Sequence, residues 1–221
     1  MAQSRAVEVL ASSNSPLAGA EQRVLREWVA EWTFSIDEFS DLAQPLVRGD
    51  VGALRREYNH QVERLQGTMD EARCHEQAAQ VYRDLRETRL RMPAMEVVIA
   101  GAQYYVGHAA AEGHRARRTD HEACLRFLGE VGVDVDSEDV AGFTAFMRGS
   151  QTAHSRLDLA RVLLDMGADV NHRSRFGGVA LHEAIMAQDR VAVAFLSRNG
   201  ASMDIKDNDG VSPRDIVSLV L

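Results

Sequence analysis

An apolar run, a glycine and an alternating polar turn follow one another three times in the C-terminal half of the chain. The glycines that close the apolar runs are spaced by 35 and 33 residues, at Gly132, Gly167 and Gly200. The glycines of the turns that follow repeat both intervals, at Gly142, Gly177 and Gly210. A fixed period of this length predicts a solenoid of stacked units. Both sets share a surplus between Gly142 and Gly167, which we place in the polar stretch RGSQTAHSR.

Each unit reads as a helix, a loop, a second helix and a hairpin. The first helix follows the turn glycine, as in GVALHEAIMA, and the second has one apolar face, as in LDLARVLL. A glycine suits the left-handed backbone at the end of a helix. The alternating residues between the two glycines predict hairpins that project from one edge in register, at Asp134–Gly142, Asp169–Gly177 and Met203–Gly210. Each unit then leaves an apolar face that only its neighbour can cover.

The motifs in these units resemble the ankyrin repeat. GADVN matches a typical ending of that repeat, and VALHEA keeps Leu181, His182 and Ala184 of its Thr-Pro-Leu-His-x-Ala motif. GVSPRDI is similar to the Thr-Pro-x-Asp variant of a last repeat. The resemblance implies an all-α fold, namely an ankyrin-repeat solenoid behind an α-helical N-terminal cap. It also implies that Leu181 is buried and that His182 is structural.

Two units depart from the motif. Val179 and Ala180 replace its Thr and Pro in one unit, and Phe146 and Met147 replace its Leu and His in the unit before. The hydrogen bonds between Thr and His that tie neighbouring ankyrin units are therefore expected to be absent or reduced. The resulting prediction is a looser stack than that of a consensus array.

Three segments are predicted along the chain. They are a disordered tail at 1–18, a helical region at 19–91 with a candidate degenerate ankyrin cap, and ankyrin repeats at 92–221. The repeats are placed at 92–138, 139–173, 174–206 and, as a partial unit, 207–221. Residues 92–216 are also similar to fungal ankyrin proteins that carry a MYND-type zinc finger after the repeats, although the dense Cys/His cluster of that finger is absent from this sequence.

The N-terminal region shows helices without a confident repeat spacing. Residues 68–91 predict one long amphipathic helix. RGDVGALRREY resembles the loop and second helix of a degenerate first repeat, but Pro45 would then fall inside the preceding helix at a cost of about 3 kcal/mol. The stretch at 107–120 predicts a long loop, whose arginines and histidines would either grip an acidic partner or remain solvated.

Composition narrows the function classes. The 221 residues carry a net charge of −8, which argues against a nucleic-acid partner because that would require a basic face. The first twenty residues lack the apolar core of a secretion signal, and no apolar run reaches the roughly 20 residues that span a bilayer. Two cysteines make no disulfide framework. We therefore expect no membrane partner, and a location in the cytoplasm, the nucleus or both.

A few residues have side chains that are capable of catalysis or of metal binding. Cys74, His75, His121 and Cys124 could in principle form a zinc site. Cys124, however, falls on an apolar helix face, which favours a buried structural cysteine. The sequence has no phosphate-binding loop, nucleophile elbow or His-Glu-x-x-His motif. The prediction is a chain with no catalytic residues, no metal site and no cofactor, and hence no enzyme.

The ankyrin resemblance implies a partner surface. In such stacks the hairpin tips and the starts of the first helices line a concave face, which here maps to Glu138, Val140, Ala141 and Phe143, to Arg173, Arg175, Phe176 and Gly178, and to Lys206, Asn208, Asp209 and Val211. The middle tip is basic and aromatic between acidic tips, which suits an acidic or phosphorylated segment. Alternatively, Phe176 simply packs against the adjacent hairpin.

The predicted function is therefore a non-catalytic protein-interaction module that binds an unidentified protein or peptide. The alternative is a metal-binding or enzymatic protein that uses its N-terminal helices.

Overall fold

The computed structural model describes residues 39–87, 91–112, 119–151 and 156–220. The predicted tail at 1–18 lies outside these residues. Within them the chain forms ten helices: α1 Gln44–Val47, α2 Val51–Leu65, α3 Glu71–Arg83, α4 Ala94–Glu112, α5 His121–Glu130, α6 Ala145–Gly149, α7 Leu157–Asp165, α8 Ala180–Met186, α9 Arg190–Arg198 and α10 Pro213–Val220. None of these helices is long and apolar enough to cross a bilayer.

The helices stack in consecutive pairs. α4 packs with α5, α6 with α7, and α8 with α9, while α10 packs against α8. Across the first seam α4 contacts α6, and α5 contacts α7. The buried side chains form one continuous core that runs through every pair. The predicted solenoid of helix pairs is confirmed.

The three glycines that follow the second helices share one geometry. Gly132, Gly167 and Gly200 have φ values of 78°, 100° and 90°. In each case the next residue donates its N–H to a carbonyl five positions back: Val133 to Leu128 at 2.9 Å, Ala168 to Leu163 at 2.9 Å and Ala201 to Leu196 at 3.0 Å. This bond closes the helix end only if the glycine adopts the left-handed conformation. The three glycines therefore have equivalent backbone conformations, as their spacing predicts.

The hairpins are shorter than predicted. Their paired parts are tight turns, in which Asp139 donates its N–H to Phe143, Ser174 to Gly178 and Asp207 to Val211, at 2.9–3.0 Å. No regular strand forms among the described residues, and Glu138–Thr144 is an isolated bridge. Upstream, the Asp134 and Asp169 carboxylates accept the N–H groups of Asp136 and Asn171 at 3.0 and 2.8 Å. These local turns divert the backbone from a ladder, so the predicted spans Asp134–Gly142, Asp169–Gly177 and Met203–Gly210 are hairpins only at their tips.

The extra length of the second unit lies where the sequence places it. The starts of α6 and α7 are 12 residues apart, at 145 and 157, whereas those of α8 and α9 are 10 apart, at 180 and 190. Of the surplus stretch, residues 152–155 lie outside the described part of the chain. The distance from each turn glycine to the next helix is unchanged, so the insertion leaves the register of the hairpins intact.

The N-terminal helices continue the stack. α1 packs against α4, α2 packs against α5, and α1 and α2 contact each other. Pro45 lies in the first turn of α1, where its missing N–H costs no hydrogen bond, so the objection that it would break a helix is wrong. The interpretation of this pair as a degenerate repeat stays a prediction, with which the packing is compatible.

Two helix bounds differ from the sequence predictions. The helix predicted over 68–91 ends at Arg83, because Glu87 and Met92 exchange backbone hydrogen bonds at 2.8–2.9 Å and so turn the chain back. α4 continues to Glu112, so the first residues of the loop predicted at 107–120 are helical. Residues 113–118, which include all three arginines of that predicted loop, lie outside the described residues.

Candidate protein-interaction surface

The hairpin tips are bonded to one another in a row. Arg175 donates its N–H to the carbonyl of Ala141 at 3.0 Å, and Asn208 donates its N–H to the carbonyl of Phe176 at 3.0 Å. The Asn208 side-chain Nδ2 also donates to the carbonyl of Arg175 at 2.8 Å. The middle tip is therefore held by its backbone from both sides. This fixes the direction in which its side chains project.

The bases of the hairpins are tied in the same way. Asp169 donates its N–H to both oxygens of the Asp136 carboxylate, at 3.2 and 3.1 Å. One step further, Asn171 Nδ2 donates to the carbonyl of Gly200 at 3.1 Å and its Oδ1 accepts the N–H of Ser202 at 2.8 Å. Burial raises the pKa of Asp136. The row of tips is thus a preorganised surface, which lowers the entropy cost of binding.

Six of the predicted contact residues are exposed: Glu138, Arg173, Arg175, Lys206, Asn208 and Asp209. Some of them are already engaged within the protein. Arg173 donates from Nε to the carbonyl of Gly177 at 3.2 Å and from Nη2 to the carbonyl of Lys206 at 2.9 Å. Glu138 Oε1 lies 3.1 Å from Nε2 of His172. Arg173 therefore links two tips.

Two of the apolar residues that the sequence places on the partner surface are buried. Phe143 is only 4% exposed, so it is a core residue rather than a contact residue. Its ring lies under the guanidinium of Arg148, 4.5 Å from the ring centroid. Ala141 is also buried. Val140 and Phe176 are partly buried and pack against the core, which is the alternative that the sequence left open for Phe176. Gly178 and Val211 are half-buried.

Beneath the first tip lies a buried charge cluster. Arg148 donates from Nε to Glu96 Oε1 at 2.8 Å and from Nη2 to the carboxylate of Asp139, with the Arg148, Glu96 and Asp139 side chains fully buried. Asp139 Oδ1 also accepts the N–H groups of Ala141 and Phe143 at 2.8 and 3.0 Å. The cluster thereby joins α4, α6 and the first hairpin tip.

Burial dominates the titration of this cluster. It raises the pKa of Glu96 to about 8; the charge of Arg148 lowers this pKa, and that of Asp139 raises it. Burial likewise raises the pKa of Glu183 on α8, against the opposing charge of Arg148. Gln103 of α4 donates from Nε2 to the carbonyl of Arg148 at 2.9 Å. The first hairpin tip therefore packs on buried ionisable side chains and not on apolar side chains alone.

Sequence reasoning did not single out this cluster. The sequence does contain a signal for it, because two otherwise apolar runs each hold one charged residue. These residues are Glu96 in MPAMEVVIAGAQ and Arg148 in FTAFMRG, and their charges are opposite. Buried charges require partners. Two such residues in neighbouring predicted helices could therefore have been paired.

Comparison with known proteins also identifies the repeated helix pairs. Residues 150–197 match the family described as ankyrin repeats (many copies). The chain contains ankyrin repeats. It is 32% identical over 102 residues to an ankyrin repeat protein of fowlpox virus (strain NVSL), an overlap of 44% of this chain and 29% of that protein. It is 30% identical over 76 residues to an ankyrin repeat protein of Acanthamoeba polyphaga mimivirus, which covers 34% of this chain and 10% of the relative.

A third relative is Neurogenic locus notch homolog protein 2 of Homo sapiens, at 39% identity over 61 residues, or 27% of this chain and 2% of that protein. The chain spans less than a third of the length of each of these relatives. Its fold is an all-α ankyrin-repeat solenoid. Ankyrin repeats generally mediate protein–protein interaction and typically belong to proteins that are not enzymes.

His182 connects the last two ankyrin units by hydrogen bonds. His182 Nδ1 accepts the N–H of Val179 at 3.1 Å, and its Nε2 lies 3.1 Å from the carbonyl of Val211 in the next unit. Because both partners are backbone groups, the loss of the threonine hydroxyl at position 179 does not remove the connection. The bond between Arg148 and Glu96 joins α4 to α6, which is a different seam from that between α6 and α8. The hydrogen bond from a threonine hydroxyl is absent at Val179, as the sequence indicates, and the looser stack stays a prediction.

The four residues weighed as zinc ligands occupy different environments. Cys74 and Cys124 are fully buried, and burial raises the pKa of Cys124 to about 12. The hydroxyl of Tyr58 lies 3.1 Å from Nδ1 of His75, and Nε2 of His121 lies 3.0 Å from the carbonyl of Val47. Burial lowers the pKa of His121. Over the described ranges, no three His, Cys, Asp or Glu side chains are grouped so as to hold a metal ion.

Proposed function

We propose that this protein is a non-catalytic interaction module that binds a partner protein along its row of ankyrin tips. One observation carries the proposal. Arg175 is exposed at the middle tip, its backbone is bonded to both neighbouring tips, and its guanidinium makes no hydrogen bond to another described residue. An arginine in a fixed position, with its donors available, is a typical anchor of an interface.

The charge pattern along the row supports an acidic or phosphorylated partner segment. Arg173, Arg175 and Lys206 place positive charge on the middle and last tips, while Glu138 and Asp209 are exposed on either side. A guanidinium binds a carboxylate or a phosphate through two parallel hydrogen bonds. A partner with one anionic group, centred on Arg175, would match this pattern and avoid the flanking carboxylates.

The proposed contact set follows from exposure. It keeps Glu138, Arg173, Arg175, Lys206, Asn208 and Asp209, leaves Val140 and Phe176 at its margin, and excludes Phe143. We further propose a location in the cytoplasm or the nucleus. The relation of residues 92–216 to fungal ankyrin proteins with a MYND-type zinc finger stays part of this proposal.

Site-specific photo-crosslinking in a cell extract tests the function. A benzophenone amino acid is placed at Lys206 or Asp209 on the tips, and at Arg190 or Ala194 on α9, all of which are exposed. We expect the same discrete protein adduct from both tip positions and from neither α9 position. Adducts that form equally from α9, or a complete absence of adducts from the tips, would refute the proposal.

A further inference from the structure

A charged cleft opens beside the first ankyrin tip. It has a volume of about 490 Å³ and lies between the C-terminal end of α3 and the loop that runs from Gly132 to Asp139. Three arginines line it: Arg83 and Arg86 from α3 and the residues after it, and Arg175 from the middle tip. Since α3 lies outside the repeating units, the repeat pattern alone could not place these groups together.

Three of the four acidic side chains of the cleft accept hydrogen bonds from other groups of the protein. Asp139 is paired with the buried Arg148, and Asp136 accepts the N–H of Asp169 through both oxygens. Asp134 accepts the N–H of Asp136 at 3.0 Å, and Glu138 lies beside His172. Asp134, Asp136 and Asp139 therefore serve the hairpin rather than a ligand.

The arginines, in contrast, keep donors that the protein does not use. Nε of Arg83 is buried and has no hydrogen-bond partner in the described part of the chain, although its Nη1 bonds to Glu76 at 2.7 Å. Among the described residues, Arg86 donates only from Nη1, to the carbonyls of Arg83 and Leu85 at 2.9 and 2.7 Å. The Arg175 side chain lies over Gly142, where a Cβ would come within 2.9 Å of its Cγ.

We infer that this cleft binds an anionic side chain of the partner segment, either a carboxylate or a phosphomonoester, through Arg83, Arg86 and Arg175. The inference rests on the proposed function and names the group that the tips would recognise. Three guanidinium groups around one cavity offer donors in several directions, which suits the oxygens of such an anion. The ion pair between Arg83 and the exposed Glu76 lies at the surface and exchanges partners at little cost, because surface ion pairs contribute little stability.

Defined peptide pools test the inference without a known partner. Short peptides with blocked ends and randomised flanks carry a fixed central residue, which is phosphoserine, glutamate or serine. Binding of each pool to the whole chain is measured by fluorescence polarisation at low and high salt. We expect the phosphoserine pool, the glutamate pool or both to bind more tightly than the serine pool, and the difference to shrink as salt screens the charges. Preference for phosphoserine alone identifies a phosphorylated source, and equal binding of both anionic pools identifies the carboxylate.

Matched variants assign the binding to the cleft. The double variant Arg83→Gln/Arg86→Gln and the single variant Arg175→Gln should each weaken anionic binding by about tenfold or more, as expected for lost charged hydrogen bonds. The control is Arg190→Gln/Arg198→Gln, which removes the same charge from exposed positions on α9. Circular dichroism and thermal melting should show that all variants fold as the parent does.

The outcomes separate the two proposals. Equal binding of the serine and anionic pools, or an unchanged preference in Arg83→Gln/Arg86→Gln, overturns the cleft. If the tips still give a specific crosslinked adduct in that case, the interaction function stands and only the cleft is wrong. If neither a pool nor an adduct is found, both proposals fail. A loss in the α9 control equal to that in the cleft variants would show attraction by overall charge and would also overturn the site.

Discussion

Arg148 and Glu96 form a fully buried ion pair, with 2.8 Å between Nε and Oε1 and no exposed surface on either side chain. Glu96 lies on α4 and Arg148 on α6, so the pair spans two adjacent ankyrin units. The carboxylate of Asp139 shares the same guanidinium and connects it to the first hairpin tip. A buried pair of this kind contributes little net stability when intact, but removal of one partner leaves a charge without compensation.

Replacement of Arg148 by methionine should therefore destabilise the protein strongly. We expect Arg148→Met to lower the free energy of unfolding by about 3–5 kcal/mol, because the buried Asp139 carboxylate loses its opposite charge and Glu96 loses its hydrogen-bond donor. Urea denaturation followed by circular dichroism measures this change. The control is Arg126→Met, which removes an exposed pair with Glu122 on α5. A loss from Arg148→Met as small as the ~1 kcal/mol or less of a surface pair would contradict the structural role of the cluster.

Stability should depend on pH through Glu96. Its pKa of about 8 in the folded protein lies above the roughly 4.3 of an unfolded chain. Between these values the folded state binds a proton that the unfolded state lacks, so the contribution is complete at low pH and is lost as pH rises towards 8. Glutamine resembles the protonated acid and does not titrate.

The free energy of unfolding of the parent should thus fall relative to that of Glu96→Gln as the pH is raised from about 5 to 8, with a slope of at most ~1.4 kcal/mol per pH unit. Denaturation at several pH values measures the difference. Glu122→Gln, on the surface of α5, is the control and should run parallel to the parent. Parallel curves for the parent and Glu96→Gln would show that Glu96 is ionised throughout.

The repeat architecture could be predicted because it depends on spacing. Gly132 and Gly167 mark helix ends that require a left-handed residue, and Leu181 falls at a position that the motif buries; the structure bears out both. These features are local or periodic. They do not depend on which distant residue a side chain meets.

The failed predictions depend on tertiary partners. Phe143 follows a turn glycine and is predicted at the surface, but its ring lies in the core against the guanidinium of the buried Arg148. The α3 helix has a pattern that would continue beyond Arg83, yet it ends there because Glu87 pairs with Met92. Likewise, the cleft could not be predicted from sequence, since it requires the position of Arg83 relative to a tip more than 90 residues away at Arg175.

Close packing of α1 on α4 depends on Gly101. A Cβ at this position would lie 2.1 Å from the carbonyl oxygen of Val47, which is backbone and cannot move aside alone. We expect Gly101→Ala to separate α1 from α4 and to cost about 1–3 kcal/mol or more. Hydrogen exchange should show lost protection in α1 and α2. Gly52→Ala is the control, because its Cβ would meet only side-chain ends of Arg56 and Asp50, at 3.3 and 3.4 Å. Equal protection in both variants would contradict the contact.

The C-terminal ankyrin units should depend on Leu181, which is fully buried in α8. Truncation to alanine removes core contacts and leaves a cavity, at a typical cost of about 2–5 kcal/mol. We expect Leu181→Ala to unfold α8 to α10 at 37 °C, as measured by hydrogen exchange and thermal melting. Val191→Ala, at a position that is 69% exposed, should change little. A melting temperature of Leu181→Ala within ~2 °C of the parent would show that Leu181 is not a core residue.

Asn171 connects the base of the second hairpin to that of the third through two hydrogen bonds, one that its side chain donates and one that it accepts. Its Nδ2 donates to the carbonyl of Gly200 and its Oδ1 accepts the N–H of Ser202. Aspartate preserves the shape and the acceptor but replaces the donor with a negative oxygen that faces a carbonyl. Asn171→Asp should therefore lower the free energy of unfolding by about 1–3 kcal/mol at neutral pH, and part of this loss should be recovered when the new carboxylate is protonated. Asp209→Asn, an exposed change between the same two residue types, is the control. Urea denaturation at pH 7 and at about pH 4 separates the two contributions. If Asn171→Asp is as stable as the parent at neutral pH, the bond to Gly200 does not hold these ankyrin units together.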